Sequence, residues 1–303
     1  MEKYRNKDLP VEERVEDLLD RMTFEEKIDQ ITCLVTIADD IPEFENYIPN
    51  GIGNVGAFTV ADTVEPIVEY ADKLQKYLVN HTRLGIPALI HCEASAGAQF
   101  TEADVFPSAI AQASTFDTEV VGEMTDIIRK QMYYVGFRQA LSPVVDITRD
   151  PRWGRTYETY GEDQYLISQM GIHYVRGMQN QGVSCIAKHF LGYAETQAGL
   201  NTATTRLNDR ELYEVFATPF EAADKEAGLD AMMANYAEID GLPVIDNKKI
   251  ARDLLRDTMG FEGMLTSDGA AVLKTYNYFK VANSYMEAGL LAKKAGCDTE
   301  IPV

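Results

Sequence analysis

Residues 138–190 read RQALSPVVDITRDPRWGRTYETYGEDQYLISQMGIHYVRGMQNQGVSCIAKHF. The stretch opens on an apolar run, RQALSPVVDI, passes through a charged loop, and continues as a helical pattern over 163–180. It ends on a second apolar run, SCIAKHF from Ser184. Two short strands separated by a helix cannot pair as a hairpin; they form a parallel crossover unit. The same rhythm fills the chain. Further strand patterns lie at 33–36, GNVGAF from Gly53, PALIHCE from Pro87, AMMANY from Ala231, GMLTSD from Gly263 and DTEI from Asp298. Helical patterns fall near 63–80, 117–135, 208–227, 247–257 and 283–295, and a first helical region at 11–31 restarts at a Thr23-x-x-Glu26 capping box. Val15, Leu18, Leu19 and Met22 fall on one face of that region. Eight strands with intervening helices predict an α/β fold, a (β/α)8 barrel of the triosephosphate-isomerase type. A doubly wound open sheet is the alternative, because periodicity does not report closure. The pattern has no helix after DTEI, so the expected barrel lacks its last outer helix. Residues 1–303 read as one catalytic barrel.

Composition narrows the function. The 28 Lys and Arg against 48 Asp and Glu leave a net charge of −20. That field repels phosphate backbones and anionic lipid, so neither nucleic acid nor a membrane surface is an expected partner, whereas a neutral substrate is unhindered. No G-x-G-x-x-G or G-x-x-x-x-G-K-[ST] follows a strand, and no cofactor or metal is expected. Cys33, Cys92, Cys185 and Cys297 are far apart. They read as free thiols in a reducing compartment, and with a charged N-terminus the expected location is the cytoplasm.

In a barrel, side chains at the carboxyl ends of the strands converge on one mouth. Those ends supply Glu93, Asp146, Lys188, His189, Tyr236 and Asp268, and the loop after Asp146 adds Arg155. Each has a structural explanation of its own. Ser267-Asp268-Gly269 suits a turn, Lys188-His189 a buried pair, and Glu93 a helix cap. Together, at successive strand ends, they form a polar cluster able to grip a hydroxyl-rich ligand.

These segments resemble the N-terminal barrel of family 3 glycoside hydrolases, the β-glucosidase and β-xylosidase family. The resemblance is carried by SPVVDITRDPRWGRTYETYGED (142–163), CIAKHFLGY (185–193), NDRELYEVFATPFEAA (208–223), MMANYAEIDGLPV (232–244), GFEGMLTSDG (260–269) and AGCDTEIP (295–302). It implies a retaining exo-β-D-glycosidase acting on terminal non-reducing glucose or xylose of a small oligosaccharide or an aryl or alkyl glycoside. Asp268 stands at the position of the nucleophile. Glu93, Arg155, Lys188 and His189 stand where the family binds the terminal ring, and Tyr236 matches a tyrosine near the nucleophile. The acid/base is expected outside these residues, from a C-terminal α/β domain or a partner subunit.

Three departures stand out. Gly269 replaces an aromatic residue after the nucleophile. The E-x-x-H-G pattern appears as Glu93-Ala94-Ser95-Ala96-Gly97, and AETQAGLN occupies the place of a D-S-H loop. A degenerate, sugar-binding barrel without turnover is the competing reading. An unrelated barrel lyase or isomerase is disfavoured by the lack of a phosphate loop or metal set.

Overall fold

The computed structural model describes residues 2–36, 43–57 and 63–301. Phe58, in the expected second strand, and Pro302 lie outside them. Seven parallel strands run in chain order: β1 (Cys33–Thr36), β2 (Asn54–Ala57), β3 (Leu89–Cys92), β4 (Gln139–Ala140), β5 (Ser184–Phe190), β6 (Ala231–Ala234) and β7 (Met264–Ser267). Each pairs with its sequence neighbours, and the unbroken order leaves no topological switch point, which rules out the doubly wound alternative. The expected fold class is the one observed.

Two strand expectations shrink. RQALSPVVDI forms a ladder only at Gln139–Ala140, and Pro143 beyond it has no N–H to donate. Beyond it, Val144 makes a single parallel bridge to Lys188. DTEI is held at the eighth position by one bridge, Thr299 to Thr266. Its neighbours secure it: Asp298 accepts hydrogen bonds from the Leu265 N–H at 2.8 Å and from Arg256 at 2.7 Å, and Ser267 Oγ accepts from the Ile301 N–H. The Glu300 N–H reaches the Ile31 carbonyl at 3.4 Å, bringing the last strand back to the first.

Helices Glu65–His81, Thr118–Tyr134, Gln164–Gln179 and Tyr285–Ala295 occupy the expected spans. Three of these starts are set by side chains that take up free N–H groups: Asp117, Asp163 and Ser284 each cap a helix. The pattern at 208–227 splits into Asp209–Glu211, a π-turn at Leu212–Phe216, and Thr218–Ala227, since Pro219 supplies no N–H for the turn before it. The pattern at 247–257 is also wound as a π-helix, Lys249–Thr258. The capping box at Thr23 forms, with both reciprocal bonds in place, and separates Val11–Arg21 from Phe24–Gln30. The apolar face read in the first of these helices is not buried: no residue of Val11–Arg21 is. Among the described residues, no helix is long and apolar enough to cross a membrane.

Candidate active site

β5, β6 and β7 end in register, with Phe190 opposite Ala234 and Ala234 opposite Ser267. The next residue, Asp268, is anchored by its N–H to the Ala234 carbonyl. In a regular strand Lys188 and His189 would point to opposite faces. The register shifts between Lys188 and Phe190, so His189 drops out of the ladder and both side chains reach the same polar cluster.

Asp268 is the centre of that cluster. Its Oδ1 accepts from the Gly269 N–H at 2.7 Å. Its Oδ2 is buried without a hydrogen-bond partner among the described residues, 3.8 Å from His189 Nε2. Burial raises the Asp268 carboxyl above its ordinary range, while Lys188, Arg155, the Gly269 N–H and the Tyr236 hydroxyl pull it back. The cations favour the ionised form, but desolvation outweighs them.

His189 is held between two partners of opposite sign. Asp146, on the loop after β4, accepts both the His189 backbone N–H at 3.0 Å and the Nδ1–H at 2.7 Å on one oxygen. Arg155 faces Nε2 at 3.1 Å and acts as the donor, so the ring is neutral with its proton on Nδ1. Burial, with Arg155 and Lys188 nearby, lowers the His189 pKa well below its usual value. Burial likewise pushes Asp146 up to about 7, against the pull of the His189 backbone N–H and of Arg155.

The two cations are themselves anchored. Lys188 Nζ donates to Glu93 Oε1 at 2.6 Å, and Arg155 makes a two-pronged pair with Glu158 at 2.7 and 2.8 Å. Arg155 also reaches the Tyr193 hydroxyl at 3.5 Å. Aromatic rings line one side: Trp153 packs edge-on to Tyr193, Tyr193 on His189 and on Tyr236, and Lys274 lies over the Tyr236 ring. The loop 152–155 is pinned by a close approach. Gly199 has φ +69°, and a Cβ there would sit 2.6 Å from Trp153 N.

The six residues to which the sequence gives a role thus meet. Asp268, Arg155, Lys188, His189 and Tyr236 surround one point, and Glu93 joins them through Lys188. Sequence reasoning placed Asp146 at a strand end without a role, and passed over Glu158 and Tyr193. The signals were present: Glu158 follows Arg155 at helical spacing, and Tyr193 stands at the end of CIAKHFLGY.

The amino-acid sequence matches a known family. The description "Glycosyl hydrolase family 3 N terminal domain" fits residues 23–303.

The chain belongs to glycosyl hydrolase family 3.

Relatives and solved structures agree. A putative β-xylosidase from Formosa agariphila is 30% identical over 98% of this chain and 42% of its own length. A periplasmic β-glucosidase from Salmonella typhimurium is 30% identical over 94% of this chain and 36% of its own. The structure of a β-glucosidase from Erythrobacter marinus superposes with a TM-score of 0.94 at 32% identity, covering 100% of this chain and 42% of that one. The family 3 chain described here therefore spans less than half the length of these proteins.

Proposed function

We propose that this chain is the nucleophile-bearing barrel of a retaining exo-β-D-glycosidase that releases terminal glucose or xylose through a covalent glycosyl–enzyme intermediate. The observation that carries the reading is Asp268 Oδ2. It is a carboxylate oxygen with no hydrogen bond of its own, at a strand end, flanked by two cations and a neutral imidazole. An oxygen kept free of donors keeps its lone pair for attack on an anomeric carbon. Lys188 and Arg155 supply donors for ring hydroxyls, and such contacts tighten as the ring flattens towards an oxocarbenium ion. His189 accepts from Arg155, and ring hydroxyls arriving there would exchange with that bond.

A retaining enzyme needs a second carboxyl group about 5–5.5 Å from the nucleophile to protonate the leaving oxygen. Asp146 faces His189, Glu158 faces Arg155 and Glu93 faces Lys188, so these carboxylates are engaged in holding the site together. We assign the acid/base to a C-terminal domain or partner subunit. The four free thiols support a cytoplasmic location.

The test is labelling of the full-length protein with a 2-deoxy-2-fluoro aryl glycoside, followed by peptide mapping. The expected label is on the peptide carrying Asp268. Turnover of aryl glycosides without a label there, or with Asp268→Asn, overturns the assignment. Sugar binding with neither label nor turnover would instead establish a degenerate barrel.

A further inference from the structure

Lys274 stands on helix Ala271–Asn277, which begins three residues after Asp268. In a chain with 48 acidic side chains against 28 basic ones, carboxylate partners are plentiful. Lys274 nevertheless makes no ion pair among the described residues. Its Nζ lies instead 4.3 Å from the centre of the Tyr236 ring. The helix that carries it is anchored. Ala270 donates its N–H to the Ile301 carbonyl at 2.9 Å, and the Thr275 hydroxyl donates to Asp246 at 2.6 Å.

Tyr236 lies two residues beyond Ala234, whose carbonyl accepts the Asp268 N–H. Its half-buried ring is held by Tyr193, edge-on at 6.0 Å, and by the Lys274 ammonium. A cation over a phenol does two things. Attraction to the negative face fixes the plane of the ring, and the pull on the ring electrons makes the hydroxyl a stronger donor. Burial and the Asp268 charge keep the Tyr236 phenol protonated, so towards that carboxylate it acts as a donor. It is among the groups that pull the Asp268 carboxyl down. Asp268 Oδ2 has no hydrogen bond all the same. The phenol thus supports the carboxylate without capping the oxygen that is to attack. The angle of the ring decides between those two arrangements.

We propose that Lys274 is a positioning residue for the nucleophile: from the face of Tyr236 it holds the ring so that the hydroxyl supports the Asp268 carboxylate and leaves Oδ2 unbonded. The inference rests on the glycosidase reading above, in which Asp268 attacks the sugar. It extends the machinery from the strand ends to the helix that follows β7.

The experiment uses the full-length protein with 4-nitrophenyl β-xyloside and 4-nitrophenyl β-glucoside. Lys274→Met should lower kcat/KM about 10-fold on the better of the two, the scale of one partly desolvated cation–π contact. The inhibition constants of free xylose and glucose should hardly change, because the ring-binding groups are intact. Lys274→Arg, whose guanidinium also stacks on aromatic faces, should restore most of the rate. Tyr236→Phe keeps the ring and deletes the hydroxyl. In that background Lys274→Met should cost nothing further, since no hydroxyl is left to aim. An unchanged kcat/KM in Lys274→Met overturns the proposal. So does an equal loss in the Tyr236→Phe background, which would show Lys274 acting by another route. No turnover of either glycoside by the unaltered protein overturns the glycosidase reading instead. A crystal structure of Lys274→Met then decides the role of Lys274 without turnover. A Tyr236 hydroxyl displaced relative to Asp268 supports it, and one left in place overturns it.

Discussion

At the scale of single residues, Asp268 stores a conflict between stability and chemistry. Its carboxyl is raised by burial, so the native state binds its proton more tightly than the unfolded chain does. The cost of the buried charge is therefore fully present above the folded pKa, and disappears as pH falls below the unfolded value of about 3.8. Asp268→Asn should abolish turnover, and at neutral pH it should raise the melting temperature. That gain should shrink as the pH is lowered towards 4; calorimetry across pH 4–7.5 checks it. Lys188 is the leading group that opposes the rise. Lys188→Met should move the acid limb of the kcat/KM profile of an activated aryl glycoside to higher pH, because the lost cation no longer favours the carboxylate. A limb left in place would show that Lys188 does not act on Asp268. Glu93 belongs to the same scale. Under the proposed function its extra methylene relative to aspartate would crowd a hydroxymethyl group, so Glu93→Asp should shift the kcat/KM ratio towards glucosides, by no more than the ~1–3 kcal/mol that one pocket methylene is worth. Parallel assays on aryl glucoside and xyloside measure the ratio.

Elements are placed by caps as much as by apolar stripes. The Thr23–Glu26 box is reciprocal, and Glu26 is shared with Arg83 at the end of helix Glu65–His81. Thr23→Ala removes the acceptor for the Glu26 N–H and should lower stability by about 1 kcal/mol, read from a denaturant midpoint, with catalysis unaffected. The strand elements carry the site by a different device. A seven-residue β5 would place only alternate side chains on one face, yet Lys188 and His189 act together because the ladder skips between Lys188 and Phe190. Asn235 braces the same junction from β6: its side chain donates to the Leu191 carbonyl and accepts from the Ala237 N–H, both at 2.7 Å. Leu212–Phe216, just before Pro219, winds as a π-turn and Lys249–Thr258 as a π-helix, where an α-pattern is read.

Over the whole molecule, one side of the barrel presents an apolar groove. Phe24 and Ile28 on one side, and Met286 and Leu290 on helix Tyr285–Ala295, flank the eighth strand position at Cys297–Glu300. Phe24 is 73% exposed and Met286 85%, a large contiguous apolar surface in water. Residues 1–303 produced alone should self-associate through it. Leu290→Lys with Met286→Lys should reduce that association in analytical ultracentrifugation without unfolding the barrel; no change would mean the groove is not the sticky surface. How much of this protein was legible in its sequence follows from range. The alternation of strands and helices, the Thr23 cap and the strand-end positions of Asp268, Lys188, His189 and Glu93 were set by the sequence alone, because periodicity, capping and burial of apolar runs act within a few residues. The tertiary structure alone decided the pairings of Lys188 with Glu93 and of Arg155 with Glu158, the clamp of Asp146 on His189, and the unbonded oxygen of Asp268. It also decided that burial outweighs two neighbouring cations at that carboxyl. Those outcomes depend on distances between different strand ends and on the exclusion of water there, quantities that exist only once the sheet has curled and brought the ends together.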